Sequence, residues 1–446
     1  MFKIFVGYDY RFDEDLDWRE AEKERKQKIQ EFVEEISDSN FTEWQNKIIS
    51  VINNYNQAKD YGRYQYFNIF LNELGKQKPN IVQKLIQNKE KDLEEFLIHL
   101  VAGIYASSKK DIAIKFIENS IKEGRHLSLC TYIFSYVKEV DEKLLKQAFQ
   151  KAKQKKDINA LNNVIRSIVD NYPRDKRHTK LFVQTIKELT KQKDSWWVNN
   201  VWFQKESIIK ILSEKDFDVI LKSLLLVPNI DYHTEAILEI IAKDYPLKIV
   251  QFFEKRISIQ SKKKSEDRYD AIPYDFHKFN TVLQTHGKVI IPEVLKWFKK
   301  KNWLFNWDGG HFLKNIYSIN DLDEELVKLL NTGIESYIKT VLSILSTYQG
   351  HITLDSKAVQ TILRKYPKHQ GSVIYPMSET GGLVSGEYGF VNSLKGKKES
   401  IQKWKKDKRK YIQDFIKKYE EFLDKQIDYE KKKADEDLEL RKHEYK

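Results

Sequence analysis

Residues 378–390 read SETGGLVSGEYGF and place four glycines within nine positions, in a chain that has only 16 glycines. Glycine-rich loops can hold phosphate groups, because their backbone N–H groups approach a ligand closely. A Walker-type loop, however, follows a strand and ends in Gly-Lys-Ser/Thr, whereas Glu387 stands where that lysine is needed. No convincing strand precedes the segment, so it does not meet the dinucleotide-binding fingerprint either.

Three roles stay open for this loop: a connector between helices, a contact with a partner protein, and a contact with a ligand. The glycines favour the connector, because they permit positive φ and a close approach of the backbone to a helix. A lysine-rich stretch follows and supplies charge that would help an anion to bind. The residues of a partner or ligand loop would be Gly381, Gly382, Ser385, Gly386, Glu387 and Tyr388. The candidate polyanion contacts are Lys395, Lys397, Lys398, Lys405 and Lys406.

Asp308 and His311, in the sequence FNWDGGHF, are residue types that ligate metals or transfer protons. A second cluster would have to complete such a site, and Asp231, His233 and His277 are the obvious suppliers. Nothing in the sequence places them together, and a turn with an incidental histidine is the simpler interpretation. HExxH, GxSxG and a Cys/His nucleophile arrangement are absent from the sequence. We therefore predict no catalytic residues, no metal site and no cofactor.

Charge and cysteine content indicate which partners and which cellular compartment to expect for the chain. The net charge of +12 suggests polyanions such as nucleic acid. Lysine far outnumbers arginine, the residue with a fixed fork of donors, so compositional bias and solvated helix faces explain the charge better. The single cysteine, Cys130, lies in an apolar run and is predicted to be a buried, inert thiol. No signal peptide and no run of ~18 apolar residues is present, so we expect a cytoplasmic protein without a membrane span.

Short amphipathic helical patterns alternate with polar connectors along most of the chain. With 446 residues, the chain exceeds the ~250–300 at which single cores stop growing. Units of roughly 35–40 residues would suit helical-hairpin repeats of the HEAT or armadillo kind. We predict an all-α, irregular helical-hairpin solenoid. Three helices are expected to stop at a Tyr-Pro pair, because proline cannot continue a helix: Tyr172-Pro173, Tyr245-Pro246 and Tyr366-Pro367.

The same patterns predict the order of segments. A continuous helix at the C-terminus would be more than ~70 Å long at ~1.5 Å per residue, the length of a capping helix or a coiled-coil arm. The predicted segments are a helical-repeat region (1–256), a linker or protruding loop (257–275), a second helical-repeat region (276–366), a glycine-rich loop (367–391) and a long basic helix (392–446).

Two stretches carry a resemblance to a known family. The first is DWREAEKERKQKIQEFVEEISDSNFTEW, followed by FNIFLNELGKQKPNIVQKLI and FLIHLVAGIYASS. The second is ETGGLVSGEYGFVNSLKGKKESIQKWKKD, followed by FIKKYEEFLDKQIDYEKKKADEDLELRKHEY. Together they resemble the C-terminal helical-repeat (HEAT-like) region of large bacterial STAND-type ATPases of antiviral defence. No Walker A or B motif is present, so the family's ATPase activity and its catalytic residues do not carry over.

The resemblance implies a sensor, scaffold or oligomer-contact module in the cytoplasm, with an ATPase or a phage protein as its partner. We therefore predict a non-catalytic recognition module of bacterial antiviral defence that binds a protein or senses a phage component. One alternative is a nucleic-acid-binding repeat protein that uses lysine-rich faces and aromatic platforms such as Trp196, Trp197 and Trp202. A second alternative is an enzyme of unknown class, with its site at Asp308 and His311 or at the glycine loop.

Overall fold

A computed structural model describes residues 2–5, 18–58, 61–137, 141–172, 175–203, 207–264, 268–300, 302–380 and 384–444. Every regular element within these ranges is helical, and none of them is a strand. The fold is all-α, as the sequence predicts. The chain divides into two compact units, Met1–Leu226 and Val227–Lys446.

Most helices of the first unit form two rows, in which a helix packs against the next but one along the chain. They are α1 (Phe2–Phe5), α2 (Trp18–Glu35), α3 (Phe41–Ala58), α4 (Gln65–Gln77), α5 (Pro79–Lys89), α6 (Leu97–Tyr105), α7 (Lys110–Glu123), α8 (Leu127–Tyr136), α9 (Glu142–Lys155), α10 (Ile158–Asn171), α11 (Lys176–Lys191) and α12 (Glu214–Leu224). One row runs α4, α6, α8, α10, and the other includes α7, α9 and α11. This is the packing expected of stacked helical hairpins.

Helix α10 shows how the sequence produces such an element. The side chain of Asp157 caps its N-terminus by accepting a hydrogen bond from the Ala160 N–H at 2.9 Å. Its apolar residues recur at helical spacing, and the four at its centre are fully buried: Leu161, Val164, Ile165 and Ile168. The helix ends at Tyr172, whose φ of −133° and ψ of 45° are not helical.

Polar side chains on α10 fix its register against α8. Three of them, one per helical turn, donate to backbone carbonyl groups of α8, and a carbonyl oxygen can accept two hydrogen bonds. Because a shift of either helix would break all three bonds together, they specify one alignment of the two hairpins. The bonds join Asn163 Nδ2 to the Ser128 carbonyl (2.9 Å), Ser167 Oγ to the Thr131 carbonyl (3.0 Å) and Asn171 Nδ2 to the Phe134 carbonyl (2.9 Å).

Two glycines bring the backbones of α4 and α6 into direct contact. A Cβ atom on Gly103 would lie 2.1 Å from the carbonyl oxygen of Asn72, and one on Gly75 would lie 2.5 Å from the carbonyl oxygen of Leu100. Neither distance is compatible with a side chain. The close crossing of these helices therefore requires glycine at both positions.

The second unit repeats the two-row arrangement. Its helices are α13 (Tyr232–Asp244), α14 (Pro246–Gln260), α15 (Phe279–Gln284), α16 (Gly287–Leu295), α17 (Trp303–Ile316), α18 (Ile319–Asn331), α19 (Glu335–Thr347), α20 (Lys357–Lys365), α21 (Gln370–Ser378), α22 (Gly389–Ser400) and α23 (Lys410–Glu444). One row runs α13, α15, α17, α19, α21, and the other runs α14, α16, α18, α20. Helix α23 packs on α20, α21 and α22.

Arg256 on α14 is a buried cation that holds irregular backbone in place. Its side chain is fully buried, and its guanidinium stacks 4.5 Å from the ring centre of Tyr269. Burial lowers the pKa of Arg256 to about 10, a value at which the group is still charged near neutral pH. The guanidinium donates to the carbonyl oxygens of Val227, Pro228, Asp270 and Ala271, at 2.6–3.0 Å.

These contacts correct the prediction of a linker or protruding loop at residues 257–275. Helix α14 continues to Gln260, and the chain then folds back so that Tyr269 and Ala271 are buried against it. A polar composition suggested a solvated loop, but the carbonyl groups of this segment satisfy a buried arginine instead.

The C-terminal predictions are also wrong in part. Residues 367–391 are not one irregular stretch, because α21 lies within them and buries Val373 and Met377. Residues 392–446 are not one helix, because α22 ends at Ser400 and α23 starts at Lys410. The interruption contains Asp407, whose side chain accepts the backbone N–H of Arg409 at 2.9 Å. Such local bonds compete with continuation of a helix.

The Tyr-Pro pairs do end helices, as predicted. Tyr172, Tyr245 and Tyr366 each follow the last residue of a helix, with φ near −130°. Pro246 begins α14, whereas Pro173 lies outside the described residues. The two pairs of the second unit do not occupy equivalent positions, because Tyr245-Pro246 leads from the row of α13 to the row of α14, whereas Tyr366-Pro367 leads in the opposite direction.

The glycine crossing gives a stability prediction. Gly103→Ala should destabilise the protein by about 1–3 kcal/mol, because the new methyl group must push α4 and α6 apart. The measurement is chemical denaturation of the full chain.

Gly371→Ala is the matched control, since a Cβ at this helical position meets nothing within 4 Å. It should leave stability unchanged or slightly raised. Equal effects of the two substitutions would contradict the role given to the crossing.

Candidate functional site

The glycine loop has the backbone of a tight connector. Gly386 has a φ of +82°, so it adopts the left-handed conformation that the sequence suggests for these glycines. A Cβ on Gly389 would lie 2.4 Å from Cγ1 of Val384, so the chain turns closely on itself there. Gly381 and Gly382 lie outside the described residues.

Two of the predicted contact residues of the loop are bonded to α23. Arg441 Nη1 donates to Glu387 Oε1 at 3.1 Å, and the hydroxyl of Tyr388 donates to the carboxylate of Asp435. Ser385 is exposed. These contacts attach the loop to the C-terminal helix, which is what a connector requires.

Residues 395–410 concentrate positive charge, with nine Lys or Arg and two Asp or Glu. The segment covers the end of α22, a 3₁₀ turn at Gln402–Lys406, and the break before α23. Some of its lysines are neutralised by ion pairs with α23, Lys398 by Asp424 and Lys405 by Glu420. The lysines of the segment that form no ion pair within the described ranges include Lys395, Lys406, Lys408 and Lys410.

A cleft of about 340 Å³ opens beside this lysine-rich segment. Its walls come from the turn after α19, from α21 and α22, from the 3₁₀ turn and from α23. The lining combines apolar and polar groups, among them Ile352, Leu354, Met377, Ser393, Gly396, Lys397, Lys403, Trp404 and Tyr419. This volume is near the lower end for small-molecule sites, which run from about 300 to 1,000 Å³.

Lys397 is the one predicted polyanion contact that lines this cleft. Its Nζ donates to the Gly350 carbonyl at 3.0 Å, and it has no ion pair with the part of the chain that the structure describes. Burial lowers the pKa of Lys397, while the charge of Glu379 acts in the opposite direction from beyond ion-pair distance. Asp355 also lines the cleft, and its carboxylate lies 3.1 Å from Lys403 Nζ.

Asp308 and His311 are not in a turn but in the middle of α17. The two glycines between them suggested a break, yet they serve close packing inside the helix row. A Cβ on Gly310 would lie 2.3 Å from Cγ2 of Thr347, so α17 and α19 could not approach as they do. A tertiary contact thus explains a pair of residues that local propensity assigns to a turn.

Asp308 is buried, and its Oδ2 has no hydrogen-bond partner among the described residues. Burial, helped by the charge of Asp270, raises the pKa of Asp308 to about 6. The ring of His311 lies 4.8 Å from that of Trp307, and burial lowers the pKa of His311. The two side chains therefore do not share a polar site.

The expected suppliers of a second cluster have other contacts. Asp231 caps α13 by accepting the Thr234 N–H at 2.9 Å, and the backbone N–H of His277 donates to Glu235 at 3.0 Å. His233 lies 3.8 Å from Asp231. Within the described ranges no group of three His, Cys, Asp or Glu residues is arranged to hold a metal ion.

Helix α17 exposes an aromatic face that the sequence analysis did not predict. Trp303 and Trp307 are one helical turn apart, with 69% and 54% of their surface exposed. Asn302 starts the helix by accepting the Leu304 N–H at 3.0 Å, so the two tryptophans stand on the first two turns of a capped helix. Exposure of two neighbouring tryptophans is unusual for residues that prefer burial.

The tryptophans of SWWVNNVWF are divided between core and surface. Trp197 is fully buried, and its indole N–H donates to Ser223 Oγ at 2.9 Å, whereas Trp196 is 64% exposed. Cys130 is buried as predicted, and burial raises the pKa of its thiol to about 12. Neither feature forms a site of its own.

No protein-family model, curated protein or solved structure matches the chain. In the part of the chain that the structure describes, no helix combines the length and apolar character needed to cross a bilayer.

The raised pKa of Asp308 predicts a pH dependence of stability. Between about pH 4 and pH 6 the native state keeps a proton that the unfolded chain releases, so this group lowers stability as the pH rises. Asp308→Asn, which cannot ionise, should therefore be more stable than the wild type near pH 7, by on the order of 2 kcal/mol.

The measurement is denaturant unfolding at about pH 4.5 and about pH 7.5. The advantage of the variant should shrink at the lower pH. Asp437→Asn, at an exposed position of α23, is the control and should follow the wild type at both values. If the stability of Asp308→Asn instead follows that of the wild type at both pH values, the ionised Asp308 carboxylate does not destabilise the native state.

Proposed function

We propose that the chain is a non-catalytic helical-repeat recognition module that binds a partner protein. The observation that carries the proposal is the pair of exposed tryptophans on α17, Trp303 and Trp307. Together they leave on the order of 250 Å² of aromatic surface in contact with water. Tryptophan is the residue type most enriched among those that dominate binding energy at protein interfaces.

The setting of this module rests on the sequence resemblance to the C-terminal regions of STAND-type ATPases. We place its action in bacterial antiviral defence, in the cytoplasm, with an ATPase or a phage protein as the partner. A stacked arrangement of hairpins suits such a role, because it exposes an extended surface that no single hairpin could offer.

The proposal is tested by affinity capture of the tagged full chain from host cells, with nuclease present. A specific protein should be recovered with the wild type and reduced at least tenfold with Trp303→Ser/Trp307→Ser, because each interface tryptophan contributes about 2 kcal/mol or more. Trp196→Ser, equally exposed but in the first unit, is the control and should retain the partner.

Equal recovery with both variants would mean that the α17 face is not the docking surface. The absence of any protein that survives nuclease treatment would contradict the proposed function itself.

The lysine-rich segment favours a second candidate function, binding of nucleic acid. Four of its lysines, Lys395, Lys406, Lys408 and Lys410, make no ion pair in the described part of the chain and are free to contact phosphates. Each phosphate contact contributes to a steep dependence of affinity on salt.

If this function holds, a labelled single-stranded oligonucleotide should lose affinity steeply between about 50 and 200 mM salt. Lys406→Gln/Lys408→Gln/Lys410→Gln should reduce the slope of log affinity against log salt by about 2, since each contact contributes about 0.7. Fluorescence anisotropy provides the measurement. Lys143→Gln/Lys146→Gln/Lys153→Gln on α9 removes equal charge, and an identical effect of this triple variant would rule out a local site.

A further inference from the structure

The cleft beside the lysine-rich segment contains a cation that uses only part of its hydrogen-bonding capacity within the described part of the chain. Lys397 is half-buried, and an ammonium group has three N–H donors, of which one goes to the Gly350 carbonyl. Buried charges in proteins are normally paired, because removing them from water without a partner is costly. No carboxylate in the described part of the chain pairs with Lys397, so its position points to an anion that comes from outside.

The other walls of the cleft describe the rest of such a ligand. The partly exposed ring of Trp404 provides an apolar surface, and Ser393 provides a hydroxyl group. Ile352, Leu354 and Met377 also line the cleft, but they are buried. The neighbouring carboxylate, Asp355, is neutralised by both of its bonds to Lys403, at 3.1 and 3.2 Å, so it does not cancel the charge of Lys397. A ligand that fits combines a flat apolar part, polar hydroxyl groups and an anionic end.

The surroundings favour phosphate as that anionic end. Five lysines between 395 and 410 form no ion pair in the described part of the chain, and unpaired positive charge of this kind raises the local concentration of anions; they are Lys395, Lys397, Lys406, Lys408 and Lys410. A phosphate group offers several strong acceptor oxygens to donors arranged around it. A volume of about 340 Å³ limits the ligand to a small one.

We propose that this cleft binds a nucleoside monophosphate, with the phosphate on Lys397 and the base against the apolar wall, whose accessible part is the ring of Trp404. The site is independent of the α17 face, and it adds a small-molecule ligand to a protein-binding module. The helices that line it include α22 and α23, which also carry the glycine loop. Occupancy of the cleft would therefore tie α22 more firmly to the turn after α19.

The test measures binding of AMP, GMP, CMP and UMP to the full chain by isothermal titration calorimetry. At least one should bind to the wild type and raise its thermal unfolding midpoint. Lys397→Met keeps the buried methylene stem and removes the charge, so it should weaken that binding at least tenfold. Lys431→Met, at an exposed position of α23 outside the lining of the cleft, should bind as the wild type does.

A second variant tests the cleft without touching the lysine. A Cβ on Gly396 meets nothing within 4 Å, so Gly396→Phe can be accommodated while its ring fills the cleft. It should abolish binding and leave the unfolding midpoint without ligand unchanged or raised.

Inorganic phosphate and the matching nucleoside serve as partial ligands, and each should bind more weakly than the nucleotide. Failure of all four nucleotides to bind would overturn the proposal, as would binding that survives both Lys397→Met and Gly396→Phe. Inorganic phosphate that binds as tightly as the nucleotide would overturn the role of the apolar wall. If only a labelled oligonucleotide binds, and these variants do not change its affinity, the positive charge serves nucleic-acid binding instead.

Discussion

Burial of one apolar stripe per helix between two rows is the interaction on which each unit depends. A short helix has little stability by itself, so each helix forms because neighbours on both sides cover its stripe. In α10 that stripe is continuous from Leu161 to Ile168 and fully buried. Each helix covers the apolar stripes of its neighbours and has its own stripe covered by them. A disturbance at one crossing therefore affects the hairpins beside it. The backbone contact at Gly75 and Gly103 shows how closely such a crossing can be set.

The surface is where this regular scheme leaves room for function. Stacking decides which residues are inside, but it does not explain why Trp303 and Trp307 remain outside on α17. Nor does it require the ammonium group of Lys397 to lie half-buried at the edge of a cleft. Exposure of the two indole rings to water is unfavourable, and so is partial burial of the Lys397 ammonium group. Packing of the helices offsets neither, and both features lie in the second unit. These two places are therefore better candidates for function than the glycine loop, whose Glu387 and Tyr388 are bonded to α23.

The helical class and many helix ends could be predicted from the sequence, because caps, Tyr-Pro pairs and apolar spacing act locally. Gly386 likewise shows the positive φ expected of it. The predictions were wrong where residues far apart in the sequence determine the local structure. The glycines after Asp308 resemble a turn until Thr347 is seen against them, and the segment after α14 resembles a loop until Arg256 is seen beneath it. Pairing of Lys398 with Asp424 also depends on a fold that sequence spacing does not reveal.

Arg256 has a consequence for how this protein can change over evolutionary time. Its four hydrogen bonds end on backbone carbonyl groups, so they constrain the path of residues 227–228 and 270–271 but not the identity of their side chains. Substitutions at Val227, Pro228 and Asp270 would leave these backbone acceptors in place while the arginine and the chain path persist. Two descendants of such a protein would then keep the same backbone path around the arginine, although their sequences in these segments differ.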